Sequence, residues 1–263
     1  MMEIFQKASF VLYGAAAAAA LAGFIFNREW KFRRALAALA GGWVLDTVYL
    51  ALRWHSAGRA PLSNQYESLS FLLWAFIAVY LLFFYFSDRT LDRLAPWAAG
   101  LAVTGAAGSS FLDSGISPLV PALQSNWLLI HVGTVMAGYG AFTLSFLVSI
   151  VFIFAASPGR EAGRGNLDSL MYRSALVGFW LLSMGIITGA VWANSAWGSY
   201  WSWDPKETWS LLTWLYYAAA IHLRRGRGWT DMKFARLMAA GFVLVMFTYF
   251  GVNYLLPGLH SYS

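Results

Sequence analysis

Residues 197–209 read WGSYWSWDPKETW, four tryptophans and a tyrosine in one short run that ends in a charged cluster. Six of the chain's 14 tryptophans (Trp192, Trp197, Trp201, Trp203, Trp209 and Trp214) fall between positions 192 and 214. Indole and phenol rings offer flat apolar surface with one polar edge. Concentrating them suits stacking and burial against a large planar apolar ligand. Trp197, Trp201 and Trp203, spaced by four and then two, would form a shelf for it, with Tyr200 among them. Two plainer causes account for part of the stretch. Asp204, Pro205 and Glu207 occupy the N-cap, N1 and N3 positions of a helix start, a capping-box pattern. Tryptophan is also enriched where helices leave a membrane. Neither explains the density, because an interfacial belt scatters one or two rings per helix end.

The chain has 4 histidines. His131 lies five residues into the apolar run NWLLIHVG, roughly 7 Å along a helix rising 1.5 Å per residue. His260 follows the last apolar run, in LPGLHSYS. Neutral imidazoles from two segments, one on each face of a macrocycle, commonly hold heme iron, and both histidines are placed to reach the rim of the shelf. His222 lies on the helix that Asp204 starts, roughly 27 Å further along. It reads either as an interfacial residue snorkelling beside Arg224 and Arg225 or as an ionisable group kept inside a membrane for function. His55, between Arg53 and Arg59, reads as surface. Arg53, Arg59 and Lys206 are the cations that could meet a ligand carboxylate, arginine in bidentate fashion. With 0 cysteines, any thiol chemistry uses a partner's cysteines. Phosphate loops, paired catalytic carboxylates and serine triads are absent from the sequence, and no residue is assigned as a general acid or base.

The elements that must position these groups are membrane helices. The 263 residues are 59% hydrophobic and 11% charged, with a mean hydropathy of +0.57, whereas a soluble domain carries roughly 25% charged residues. The net charge of +6 does not point to nucleic acid, since the basic residues sit in short clusters between apolar runs. A crossing helix needs about 20 apolar residues, which gives candidates at 8–26, 35–53, 67–86, 94–112, 127–155, 170–193, 205–224 and 236–256. The expectation is an all-α integral membrane protein with about eight transmembrane helices in one domain, 1–263, carrying a tryptophan-rich ligand segment at 194–209. The first apolar run is too long for a signal-peptide core and reads as a retained span. Connections 27–34, 87–93, 156–173 and 223–236 hold most of the 18 basic residues, so by the positive-inside rule both termini and the tryptophan segment face outward. Asn64 and Glu67, in PLSNQYES, read as a further helix cap. Asp46 is costly in lipid unless paired or turned inward.

WGSYWSWDPKET resembles the tryptophan-rich "WWD" signature of heme-handling cytochrome c assembly membrane proteins. PLSNQYESLSFLLW, the IHVG histidine and the terminal GLHSY histidine are similar to the CcsA (ResC) branch of system II cytochrome c biogenesis. The resemblance implies a cytochrome c synthase that exports heme b and attaches it to apocytochrome c at a Cys-x-x-Cys-His motif on the outer side. The membrane would be a bacterial plasma membrane or a plastid thylakoid. In that branch His131 and His260 would be the outer axial ligands, held against Trp197, Tyr200, Trp201, Trp203 and Asp204. His222 would be one of two membrane histidines that receive heme transiently, the second belonging to a CcsB-type partner. Proteins that keep the client's thiols reduced would act indirectly. Two other functions share parts of the pattern. A b-type heme electron-transfer subunit pairs its histidines inside the bundle, and a system I-like delivery protein has about six spans and no histidine equivalent to His222.

Overall fold

The computed structural model describes residues 2–26, 29–86, 94–119, 121–154 and 164–258. Eight helices follow one another in the intervals expected, and among the described residues there is no strand. They are α1 (Met2–Ile25), α2 (Glu29–Ala57), α3 (Gln65–Phe86), α4 (Ala95–Ser109), α5 (Asn126–Phe154), α6 (Arg164–Trp197), α7 (Pro205–Arg227) and α8 (Asp231–Leu255). All but α4 and α7 are long and apolar enough to cross a membrane. With 15 residues α4 is short for a span, which needs about 20. In α7 length is sufficient, but Trp, Tyr, Ser and Thr replace aliphatic residues. The chain divides into two compact units, Met1–Ser117 and Pro118–Ser263.

In the first unit α1 packs chiefly on α2 and α4. The buried face of α1 carries Ser9, Tyr13, Ala16, Ala20 and Gly23, and its small residues let backbones approach as membrane helices do when no apolar-versus-water difference drives them together. Gly42 continues this. A Cβ there would lie 2.4 Å from the Tyr13 ring, so glycine lets that ring cross α2. The Tyr13 hydroxyl then donates to Asp46 at 2.5 Å, and Ser9 donates to the other carboxylate oxygen at 2.6 Å. Asp46 thus faces inward and is hydrogen-bonded, and it borders a cavity of about 400 Å³ among α1 to α4.

The connection between α2 and α3 is held by Glu67, which is fully buried. One of its oxygens accepts two bonds from Arg53 (3.0 and 2.8 Å). The other accepts from Arg59 at 2.9 Å and from the backbone and hydroxyl of Ser63. Arg53 also bonds the carbonyls of Ser114 and Gly115, and Arg59 that of Ser117. Asn64 caps α3 by accepting the Glu67 N–H at 2.8 Å, as expected, but the carboxylate does more than cap. It fastens two cations and, through them, the segment after α4. Arg53, 2% exposed, is therefore engaged inside the fold and does not project towards a ligand.

In the second unit α5 and α6 form the most extensive helix pair, and α5 also packs on α8. At one end Asp168 receives a bidentate pair from Arg224 and the backbone N–H of Asp231, tying the starts of α6 and α8 to the end of α7. The Arg224 guanidinium lies 4.5 Å from the Tyr172 ring centre and 4.7 Å from that of Phe234, so its stem is packed as well as its charge paired. The tryptophan segment occupies the other ends of α6 and α7.

Candidate functional site

The tryptophan segment is a short loop between two well-defined helix ends. Gly198 stops α6 in the left-handed conformation, φ 77°, which a residue without Cβ adopts freely. Asp204 starts α7. Its side chain accepts the Lys206 N–H at 2.9 Å, and Glu207 reaches back to the N–H groups of Asp204 (3.2 Å) and Ser202 (2.8 Å). This is the capping box expected, with Pro205 in the first turn. Ser199 accepts nothing from this box but secures the loop itself, donating to the Trp201 carbonyl at 2.9 Å.

Inside this frame one residue is strained. Trp203 has φ 58°, where a bulky side chain is an outlier costing roughly 1–2 kcal/mol. Its carbonyl accepts from Thr208 and its indole is 69% exposed, so the ring is held out rather than packed. Trp201 meets Trp203 edge to face, 5.7 Å between centres at 87°. These two rings therefore form walls at a right angle instead of a flat plate. The Trp201 indole N–H is buried and has no hydrogen-bond acceptor among the described residues. Tyr200 is exposed.

His131 projects from α5 onto α6. Its Nδ1 lies 2.8 Å from the Gly185 carbonyl. A carbonyl only accepts, so Nδ1 carries the hydrogen and the neutral ring has its lone pair on Nε2, the atom suited to a metal. The ring fits because Gly189 has no side chain: a Cβ there would sit 2.6 Å from it. It lies parallel to Trp192, 5.8 Å away at 12°. Trp192, almost fully buried, meets Trp197 edge to face at 4.9 Å. Gly185, Gly189 and Trp192 thus line one face of α6, and they connect the histidine to the first tryptophan of the segment. Sequence reasoning counted Trp192 only towards ring density. The small-residue spacing Gly185–Gly189, one turn before Trp192, is the signal that marks this face.

The remaining candidates are placed differently. His260 lies outside the described residues. The last described residue, Gly258, presses on the start of α7, where a Cβ would lie 2.4 Å from Asp204 Oδ2 and 3.1 Å from Pro205 Cδ. His222 is not brought to this cluster. It is exposed on α7, in line with exposed Leu212, Leu215 and Ala219, a stripe with spacings of three and four that one helix face presents. His55 is exposed at the end of α2. Of the three cations considered, Arg53 and Arg59 are engaged by Glu67, and Lys206 Nζ donates to Asn253 Oδ1 on α8.

Comparison with known proteins gives a consistent result. Residues 62–260 match the cytochrome C assembly protein family. The chain is 44% identical to the cytochrome c biogenesis protein CcsA of Chlamydomonas reinhardtii, over 84% of this chain and 65% of that protein. It therefore spans just under two thirds of that relative's length. It is 41% identical to CcsA of Synechococcus sp. (strain CC9311), over 82% of this chain and 84% of that one. Among solved structures, the cytochrome c heme lyase CcmF shares the fold with a TM-score of 0.71 at 15% identity, over 95% of this chain and 46% of that chain. The matched span and these identities are sufficient to assign the chain: it belongs to the cytochrome c assembly family, in its CcsA-type branch.

Proposed function

We propose that this protein is an integral membrane component of cytochrome c maturation that receives heme b and, with a CcsB-type partner, attaches it to apocytochrome c on the outer side of the membrane. All eight helices would cross, leaving both termini, the tryptophan segment and His131 outside, in a bacterial plasma membrane or a thylakoid. The naming of its relatives as cytochrome c biogenesis proteins supports the general role. The observation that carries the site is His131, whose Nδ1–H is fixed on the Gly185 carbonyl while its ring lies on Trp192, next to Trp197. Such second partners orient a ligating imidazole and set its tautomer.

The residues present fit heme on a further point. A buried indole N–H without an acceptor, as at Trp201, costs about 1–3 kcal/mol, and a ligand carboxylate at the aromatic walls would satisfy it. The second axial position falls to His260. Gly258, the last described residue, lies against Asp204 and Pro205 at the start of α7. His222, on the outward face of α7, would form half of a transient site near the cytoplasmic side, completed by a histidine of the partner.

In the attachment step each S–H of the client's Cys-x-x-Cys-His adds across one vinyl group. A C–S bond forms, the hydrogen goes to the neighbouring carbon, and nothing is released. The protein's share is to hold the reactants together and exclude competing reactions, which needs no side chain acting as general acid or base. The test is absorption spectroscopy of purified protein. His131→Ala should lose the two-histidine signature and regain it with added imidazole, with cytochrome maturation lost in cells. An unchanged spectrum with full maturation would refute the assignment.

A further inference from the structure

The cavity of about 400 Å³ in the first unit is enclosed by the first half of α1, the second half of α2, the first half of α3 and the end of α4. Its cause is local. α4 has 15 residues against 24 in α1, and its last turn carries Ala106, Ala107 and Gly108, so no large side chain fills the space beside α1.

Two charged residues line the cavity, Asp46 and Lys7, and their surroundings differ. Lys7 is exposed at the rim, and its Nζ lies 3.3 Å from Glu3 one turn away, a surface pair of the kind that contributes little. Asp46 lies inside. Ser9 and Tyr13 donate to its oxygens, but both donors are neutral, and among the described residues no cation pairs with it. Glu67 and Asp168, by contrast, are each held by arginine. The neutral groups of the wall are occupied with one another, since Gln6 donates to the Tyr66 hydroxyl, which shares a second bond with Tyr49. Each Asp46 oxygen keeps a lone pair. A carboxylate inside a membrane helix without a counter-charge is costly unless something else supplies one. Phe10 and Val11, exposed at the same rim, belong to a helix long and apolar enough to cross a membrane. Whatever enters past them arrives from among lipid chains, so it carries its cation on an apolar body.

We propose that this cavity holds the headgroup of a zwitterionic phospholipid bearing a primary ammonium. The ammonium donates to Asp46, the phosphate meets Lys7, and the acyl chains lie over Phe10 and Val11. A primary ammonium offers three N–H donors, whereas a quaternary one offers none. The volume lies at the lower end of the range for small-molecule sites, roughly 300–1,000 Å³, which suits a headgroup and leaves the chains outside. The lipid so held fills the space that the short, small-residue end of α4 leaves and braces α1 against α2 and α4. It is independent of the heme assignment.

The test is native mass spectrometry of the full chain in detergent, given equal amounts of phosphatidylethanolamine, phosphatidylcholine and monogalactosyl diacylglycerol with matched acyl chains. The parent should retain one phosphatidylethanolamine, preferred about tenfold over either of the others, as one charge-assisted hydrogen bond allows. Asp46→Asn should abolish that preference. Ala107→Leu, which keeps the carboxylate but fills the space, should lose the lipid. Lys7→Gln, at an exposed position, should weaken retention about threefold, as loss of a surface charge contact does. Parent-like retention and preference in any of these variants overturns the proposal. So does equal retention of the choline lipid, whose ammonium has no N–H, or a preference for the galactolipid, whose hydroxyls carry no charge. Helix content by circular dichroism identifies a variant that has not folded, and the lipid competition on the parent together with Lys7→Gln then decides.

Discussion

Two helix starts in this protein use the same local chemistry to opposite ends. α3 begins with Asn64 and Glu67, α7 with Asp204 and Glu207, and in each a glutamate at the third helical position turns back towards the chain before it. At α3 the glutamate is fully buried and holds two arginines, which in turn bind carbonyls of the segment 114–117. Every strong group there has a partner, and the result is a closed clasp. At α7 the glutamate binds only backbone N–H groups and the Ser202 hydroxyl. The loop it braces keeps Tyr200 and Trp203 exposed, one of them strained, and the buried Trp201 N–H has no acceptor among the described residues. A cap whose partners are complete builds structure. The cap at α7 instead braces a loop of exposed and strained rings.

The contrast is broken most severely at the clasp. Glu67→Ala strands two arginines, one of them buried, and should cost about 3–5 kcal/mol, as removal of one partner of a buried ion pair does. Thermal unfolding in detergent should drop sharply, with heme retention lost only as a consequence of unfolding. Next is Gly189→Ala. The added methyl enters the space of the His131 ring and overpacks the α5–α6 contact by about 1–3 kcal/mol. Here the heme spectrum should change well before the melting temperature falls much. Glu207→Ala should cost less, about 0.5–2 kcal/mol for a lost cap. Its signature is faster hydrogen exchange at 199–206 together with weaker heme retention. The smallest effect on stability, and the sharpest test of the comparison, is Trp203→Gly. Relief of the positive φ should leave stability unchanged or raised by about 1 kcal/mol, while heme affinity measured by titration falls. A destabilised protein with normal affinity would mean that the exposed ring serves the fold.

Both caps were legible in the sequence because a cap is local: the N-cap residue and the residue at the third helical position are three apart, and their types state the hydrogen bonds. What the Glu67 cap additionally holds was not. Its arginines lie 14 and 8 positions away, and the carbonyls they bind belong to a segment after α4, chosen by packing. The same limit applies to the candidate site. His131 was readable as a candidate ligand from its type and depth, but the group its Nδ1 meets is a backbone carbonyl, which every residue carries and no letter announces. A π turn interrupts α8 at FTYFG, where no proline marks a break and Gly251 alone does not specify the change of helical form.

The order of the helices, their apolar character and the starts of α3 and α7 are written in the chain, since hydrophobic run length and capping depend on neighbours within a few residues. The tertiary structure alone decided which cations are engaged by the fold, which nitrogen of His131 keeps its lone pair, and that Trp201 and Trp203 stand at right angles. Those outcomes depend on atoms distant in sequence approaching within hydrogen-bonding or van der Waals contact, and only the packed helices bring them there.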